Sequence, residues 1–388
     1  IANAGDVDGD GEDELLVGAY GSNSFAGAAY ILDGPVSGGS FADEIELTAT
    51  TSGFYGYVGY SVAGNGDIDG DGYDDVAVGS YYASTTFITY GPLTADTDIT
   101  DLGWNLTGEG NFSYVGFAVA ILDDMDGDGL ADVAISSPYD GTNGYYAGAV
   151  YIAQSGGVLA GGGGDLDIDD MDAAIYGSSQ SYTGYSLKSA GDTDGDGLSD
   201  LLVGYNSASG RASVFLGPIS GELETSDADA LLAGTGNNYG GRALSTAGDV
   251  NGDGYDDILV GAYSDSTGGT AAGATYLFHG PVTADRAFSA AEATLTGSAS
   301  SYSGWSVAEG GDIDGDGLGD ILVGAPYASG YSGQAYVVSG TVSGTVDLAD
   351  AHAIITGSSG YSWLGASLVG AIDLSLIHIS EPTRRSYI

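Results

Sequence analysis

The chain has 388 residues, with 54 acidic side chains against 6 basic ones, 70 Gly, 28 Tyr, no Cys and a net charge of −48. A field this negative repels polyanions, which excludes nucleic acid as a partner, and the lack of Cys excludes disulfides and thiolate metal sites. Apolar residues make up 43% of the chain, enough for a packed core at this length, and no run of about 18 apolar residues offers a membrane span.

Zero Cys does not by itself assign a compartment. The first residues enter a motif already under way, and Ile1 is not Met, so the sequence reads as cut at its start. From Leu374 onward Gly disappears, and LSLIHISEPTR, Leu374 to Arg384, is similar to a translated sequencing adapter. We therefore expect one domain over residues 1–373, truncated at both ends, and a non-native tail over 374–388. Arg384, Arg385 and His378 carry no functional inference.

An acidic loop recurs along the chain: Asp6 to Glu14, Asp67 to Asp75, Asp124 to Asp132, Asp192 to Asp200, Asp249 to Asp257 and Asp312 to Asp320. A seventh copy begins at Asp373 and breaks off. Start-to-start spacings of 61, 57, 68, 57, 63 and 61 residues define one repeated unit. Before each loop lies a short segment such as Gly59-Tyr60-Ser61-Val62-Ala63 or Gly304-Trp305-Ser306-Val307-Ala308. After it comes an apolar run, Leu15 to Gly18, Val76 to Gly79, Ile258 to Gly261 and Ile321 to Gly324, too short and too β-branched for a helix. A third run follows, as at Gly148 to Ile152 and Gly273 to Leu277. It ends in a turn, Gly34-Pro35, Gly91-Pro92, Gly217-Pro218 or Gly280-Pro281. A fourth short strand closes the unit near Leu106-Thr107-Gly108, Leu295-Thr296-Gly297 and Ile355-Thr356-Gly357. Four strands in a unit of this length make a propeller blade, so the expected fold is an all-β propeller with about six blades' worth of sequence.

The segments Val58-Gly59-Tyr60-Ser61-Val62-Ala63 and Val323-Gly324-Ala325-Pro326 flank the acidic loops as paired signals. With the period and the loops, they make the chain resemble the FG-GAP repeats of integrin α-subunit β-propellers, over essentially residues 1–373. That resemblance implies seven blades in the intact protein.

Each loop carries carboxylates at positions 1, 3, 5 and 9 and Gly at 4 and 6, which gathers oxygens around one point as a hard cation such as Ca²⁺ needs. The ligand candidates are Asp6, Asp8, Asp10 and Glu14; Asp67, Asp69, Asp71 and Asp75; Asp124, Asp126, Asp128 and Asp132; Asp192, Asp194, Asp196 and Asp200; Asp249, Asn251, Asp253 and Asp257; and Asp312, Asp314, Asp316 and Asp320. A backbone carbonyl at position 7 completes the expected set. An EF-hand needs a Glu at position 12, but here that position is Val17, Val78, Ile135, Val203, Val260 and Val323, so the site is a calcium loop within a β-hairpin. The bland alternative is a solvated acidic turn, in which four carboxylates would repel one another without a cation. Asn251 should weaken its site by removing a charge.

An aromatic stands two residues before the Gly of each FG-like segment, counted to the second Gly where two occur together: Tyr57, Tyr114, Tyr182, Tyr239, Tyr302 and Trp363. Packing between blades and ligand contact on one face are both open readings. His279 and His352 sit in variable segments, no Ser-His-Asp set aligns, and the expected protein is not an enzyme. No Arg-Gly-Asp and no Asp-x-Ser-x-Ser motif occurs. Outside the ligand set about thirty acidic residues remain against Lys188, Arg211, Arg242 and Arg286, which suits an extracellular or salt-rich setting. The resemblance implies a secreted or cell-surface adhesion module that binds a protein or a glycan. The alternative is the accessory propeller of a larger hydrolase or lyase.

Overall fold

The structure, a computed structural model, describes residues 1–32, 45–49, 56–100, 102–108 and 113–370. The Gly34-Pro35 turn, the loop begun at Asp373 and the tail over 374–388 lie outside the described residues.

Six antiparallel sheets follow one another in chain order, each built outward from the segment before its acidic loop. Blade four is representative, with strands Thr183–Gly191, Asp200–Tyr205, Arg211–Phe215 and Ala230–Ala233. The acidic loop joins its first two strands, and the register Leu187↔Val203 and Val203↔Ser213 carries the pairing outward. The innermost strands of neighbouring blades pack side by side, as Thr183–Gly191, Ala243–Gly248 and Ser306–Gly311 do. The fold is thus a six-bladed propeller.

One feature exceeds the expected four strands. In five blades a fifth strand, parallel to the fourth, comes from the following unit's connection between its own third and fourth strands. Gly221–Glu224 pairs with Ala173–Tyr176 in this way, and Gly344–Asp347 with Ala293–Thr296. Each unit thereby clasps its predecessor. The donated strand is mostly exposed and polar, so no alternation announced it.

The core lies between blades and not within them. Leu202, Val214 and Leu232 of blade four meet Ile258, Val260 and Phe278 of blade five, while Leu259, Leu277 and Leu295 turn to Ile321, Val323 and Val338 of blade six. Successive residues of one strand therefore face two different neighbours. That is why the second strands read as unbroken apolar runs, since both faces of each sheet are buried. Residues 366–370 run beside the innermost strand of blade six: Gly370 packs on the Glu309 backbone and Ser367 Oγ accepts from the Ile1 amino group at 3.3 Å.

Candidate metal centre

Each acidic loop is closed by its own carboxylates. In blade two, Asp67 accepts from the N–H of Gly70 at 2.7 Å and of Gly72 at 3.0 Å, Asp69 from Asp71 at 3.1 Å, and Asp71 from Tyr73 at 3.0 Å. The first bond recurs at 2.6 to 2.7 Å in every loop, from Gly9 to Asp6, Gly127 to Asp124, Gly195 to Asp192, Gly252 to Asp249 and Gly315 to Asp312. Gly70 and Gly72 have φ of 79° and 93°, a left-handed backbone that a side chain disfavours, so the tight wrap requires Gly at these places.

This wrapping brings the expected ligands together. Carboxylate oxygens of Asp6, Asp8 and Asp10 lie within 4.8 Å of one another, as do those of Asp67, Asp69 and Asp71 and of Asp312, Asp314 and Asp316. In blades three and four the converging sets are Asp124, Asp126 and Asp132, and Asp192, Asp194 and Asp200, so position 9 joins the cluster there. In blade five Asn251 Oδ1 accepts from the Asp253 N–H at 2.8 Å, the bond its Asp counterparts make, with one charge fewer. These oxygen donors, clustered without nitrogen or sulfur, fit a hard divalent cation.

Position 9 has a second task that sequence reasoning missed. Asp75, Asp132, Asp200, Asp257, Asp320 and Glu14 are all buried. Asp75 accepts from Ile68 N–H at 2.7 Å and from Gly91 N–H at 2.8 Å, tying its loop to the Gly-Pro turn. Asp200 does the same with Thr193 and Gly217, and Asp257 with Val250 and Gly280. In blade three the second donor is Ser155. Burial, assisted by the neighbouring carboxylates, pushes these groups up: Asp75 and Glu14 to about 7, and Asp132, Asp200 and Asp257 to about 6. Backbone hydrogen bonds oppose that rise without cancelling it.

Successive loops are also stitched together. The position 8 N–H of one blade donates to the position 1 carbonyl of the blade before: Asp74 to Asp6, Ala131 to Asp67, Ser199 to Asp124 and Asp256 to Asp192. The Asp74 and Asp256 carboxylates return the link by accepting from Asp6 and Asp192 N–H, each at 2.8 Å. The candidate cation ligands, the loop closure and the blade contact thus fall on the same few residues.

The aromatics occupy the opposite end of the strands. Tyr57, Tyr114, Tyr182, Tyr239, Tyr302 and Trp363 all have positive φ, from 51° to 58°. Such a backbone is uncommon for bulky residues, and here it recurs in all six. The adjoining residue bridges to the preceding blade, Val58 to Gly27 and Ser303 to Gly273, where a Cβ on the Gly would meet the partner's backbone within 2.2 Å. The rings run blade to blade: Tyr57 contacts Tyr20 and Tyr81, Tyr114 contacts Tyr81 and Tyr139, Tyr182 contacts Tyr139, and Tyr302 contacts Tyr263 and Tyr327. Trp363 continues from Tyr327. Blade four carries Asn206 and Ser207 at the matching place, and there Arg242 spans the gap, its guanidinium 4.5 Å from the Tyr185 ring and 5.3 Å from that of Tyr263. Packing accounts for much of this belt, yet Tyr20, Tyr82, Tyr145, Trp305, Tyr331, Tyr361 and Trp363 remain exposed.

Among the described residues no helix is long and apolar enough to cross a membrane. The FG-GAP repeat family matches residues 1–32, 58–92, 115–152, 240–278 and 303–338. Blade four, with its gap in the aromatic belt, lies between the third and fourth matches. Integrin alpha-PS2 of Drosophila melanogaster is 32% identical over 54% of this chain and 15% of its own length. Integrin alpha-5 of Xenopus laevis is 31% identical over 54% of this chain and 20% of its own. Human integrin alpha-IIb is 29% identical over 52% and 19%. The chain thus matches about a fifth or less of the length of these relatives.

Proposed function

From a chain built of FG-GAP repeats in an integrin α-like propeller, we propose a calcium-stabilised, noncatalytic recognition module of the cell exterior: Ca²⁺ locks one end of the ring, and the aromatic end takes a protein or glycan ligand. The observation that carries this reading is the set of hairpin loops whose carboxylates converge while position 9 fastens each loop to its blade.

The magnitudes agree with a structural ion. Extracellular calcium modules bind at roughly 10⁻⁴ to 10⁻³ M, too weak for cytosolic sensing. At ten times its dissociation constant each site adds about 1.4 kcal/mol, and six together add roughly 8, comparable to the stability of a whole domain. The ion also neutralises carboxylates that burial and repulsion otherwise disfavour. Asp at positions 1 and 3 would hold it together with position 5, or with position 9 in blades three and four, while position 9 also braces each loop from inside the blade.

Thermal unfolding of the chain in millimolar Ca²⁺ and in excess chelator tests the stabilising role. The expected outcome is a melting temperature lower by tens of degrees in chelator, restored by Ca²⁺. An unchanged melt refutes it.

A further inference from the structure

A cavity of about 550 Å³ opens at the aromatic end between blades three and four, lined by Asn143, Ser178, Ser179, Arg211, Glu224 and Ser226 among others. Its size falls within the range of small-molecule sites, and its lining mixes many hydroxyls with the larger groups Tyr176, Tyr205 and Leu231.

Arg211 stands apart from the other native arginines. Arg286 pairs with Glu292, and Arg242 is stacked between two tyrosine rings. Among the described residues the exposed Arg211 guanidinium has no hydrogen bond or ion pair, although Glu224 lines the same cavity. The side chains of Asn143, Ser178 and Ser226 likewise make no hydrogen bond among the described residues. Beside the lining, the carbonyl of exposed Tyr145 accepts from Ser179 Oγ at 3.3 Å, and its ring packs 3.9 Å from that of Tyr146.

We propose that this cavity binds a neutral sugar residue of a glycan. A sugar offers several hydroxyls, each both donor and acceptor, on a ring with an apolar face. The planar guanidinium and amide of Arg211 and Asn143 donate, the Glu224 carboxylate accepts, the serines do either, and the half-buried Tyr176 ring in the lining offers an apolar face. The charge of the chain selects against anionic polysaccharides. The proposal rests on the recognition reading above and names its ligand class and its site.

The test is saturation-transfer NMR on the calcium-loaded chain with a panel of methyl glycosides of glucose, galactose, mannose and N-acetylglucosamine, and with methyl glucuronide. At least one neutral glycoside is expected to receive saturation. Arg211→Ala and Asn143→Ala should each weaken its binding at least tenfold, while Thr345→Ala, an exposed side chain on the strand Gly344–Asp347 away from this cavity, leaves it unchanged. Absence of transfer to every neutral glycoside, binding of the glucuronide alone, or binding indifferent to Arg211→Ala and Asn143→Ala overturns the proposal. Failure here with a chelator-sensitive melt leaves a calcium-stabilised module for a protein ligand; a chelator-insensitive melt removes the calcium reading whatever the sugars do.

Discussion

The two ends of the ring are built by the same repeat yet obey different rules. At the acidic end the six loops repeat one hydrogen-bond pattern within about a tenth of an ångström, from Gly9 to Gly315. At the aromatic end the frame repeats, but its occupants change: Tyr81 in blade two, Asn206 in blade four, Arg242 where other units place Tyr60, Phe117, Tyr185 and Trp305. Under the proposed function, uniformity marks the end that Ca²⁺ holds together, and variation marks the end that meets a ligand.

The largest effect that sharpens this contrast is at position 9. Asp257→Ala removes a buried acceptor and strands the Val250 and Gly280 amides, so stability in Ca²⁺ should fall by about 3 to 5 kcal/mol, read by urea unfolding. A loss below about 1 kcal/mol would make position 9 an ordinary ligand and not a brace.

A pH series in chelator comes next. Burial and neighbouring carboxylates raise Asp75 and Glu14 to about 7 and Asp132, Asp200 and Asp257 to about 6, above the usual values near 4 of an unfolded chain. Between those values the folded state holds more protons than the unfolded one, so stability is highest at low pH and falls as pH rises from about 4 to about 7. The melting temperature in chelator should therefore be higher at pH 5 than at pH 7, and Ca²⁺ should flatten the slope by holding the carboxylates ionised. A rise with pH in chelator breaks the account of these buried groups.

At the other end the effects are smaller. Tyr302 sits at φ 54°, so Tyr302→Gly should leave the protein about 1 kcal/mol more stable than Tyr302→Ala, because both lose the ring contacts but only Gly relieves the backbone. Equal stabilities would remove the strain argument. Smallest of all, Asn251→Asp adds a ligand charge at the fifth loop and should tighten that site severalfold in a calcium titration without altering the other five.

What the sequence made legible follows the same division. The period, the order of four strands and the gathering of acidic positions 1 and 3 with position 5 or 9 in five loops could be read directly, because each rests on local spacing. The donated strand Gly221–Glu224 could not, since it pairs by backbone alone and exposes most of its side chains. Nor could the bracing by Asp200, whose partner Gly217 lies seventeen residues away across the blade. The link from Ser199 to Asp124 joins residues of different units, which no local pattern displays. The aromatics before each FG-like segment were visible as a series, but their left-handed backbone and the insertion of Arg242 between Tyr185 and Tyr263 are products of the ring.

The most direct test of the central claim is a count of ions. After equilibrium dialysis in about 5 mM Ca²⁺, above the usual dissociation constants of extracellular sites, metal analysis should find six Ca²⁺ per chain, one for each complete loop, with the Asn251 loop the last to fill as the concentration is raised. A count of zero or one would contradict the account.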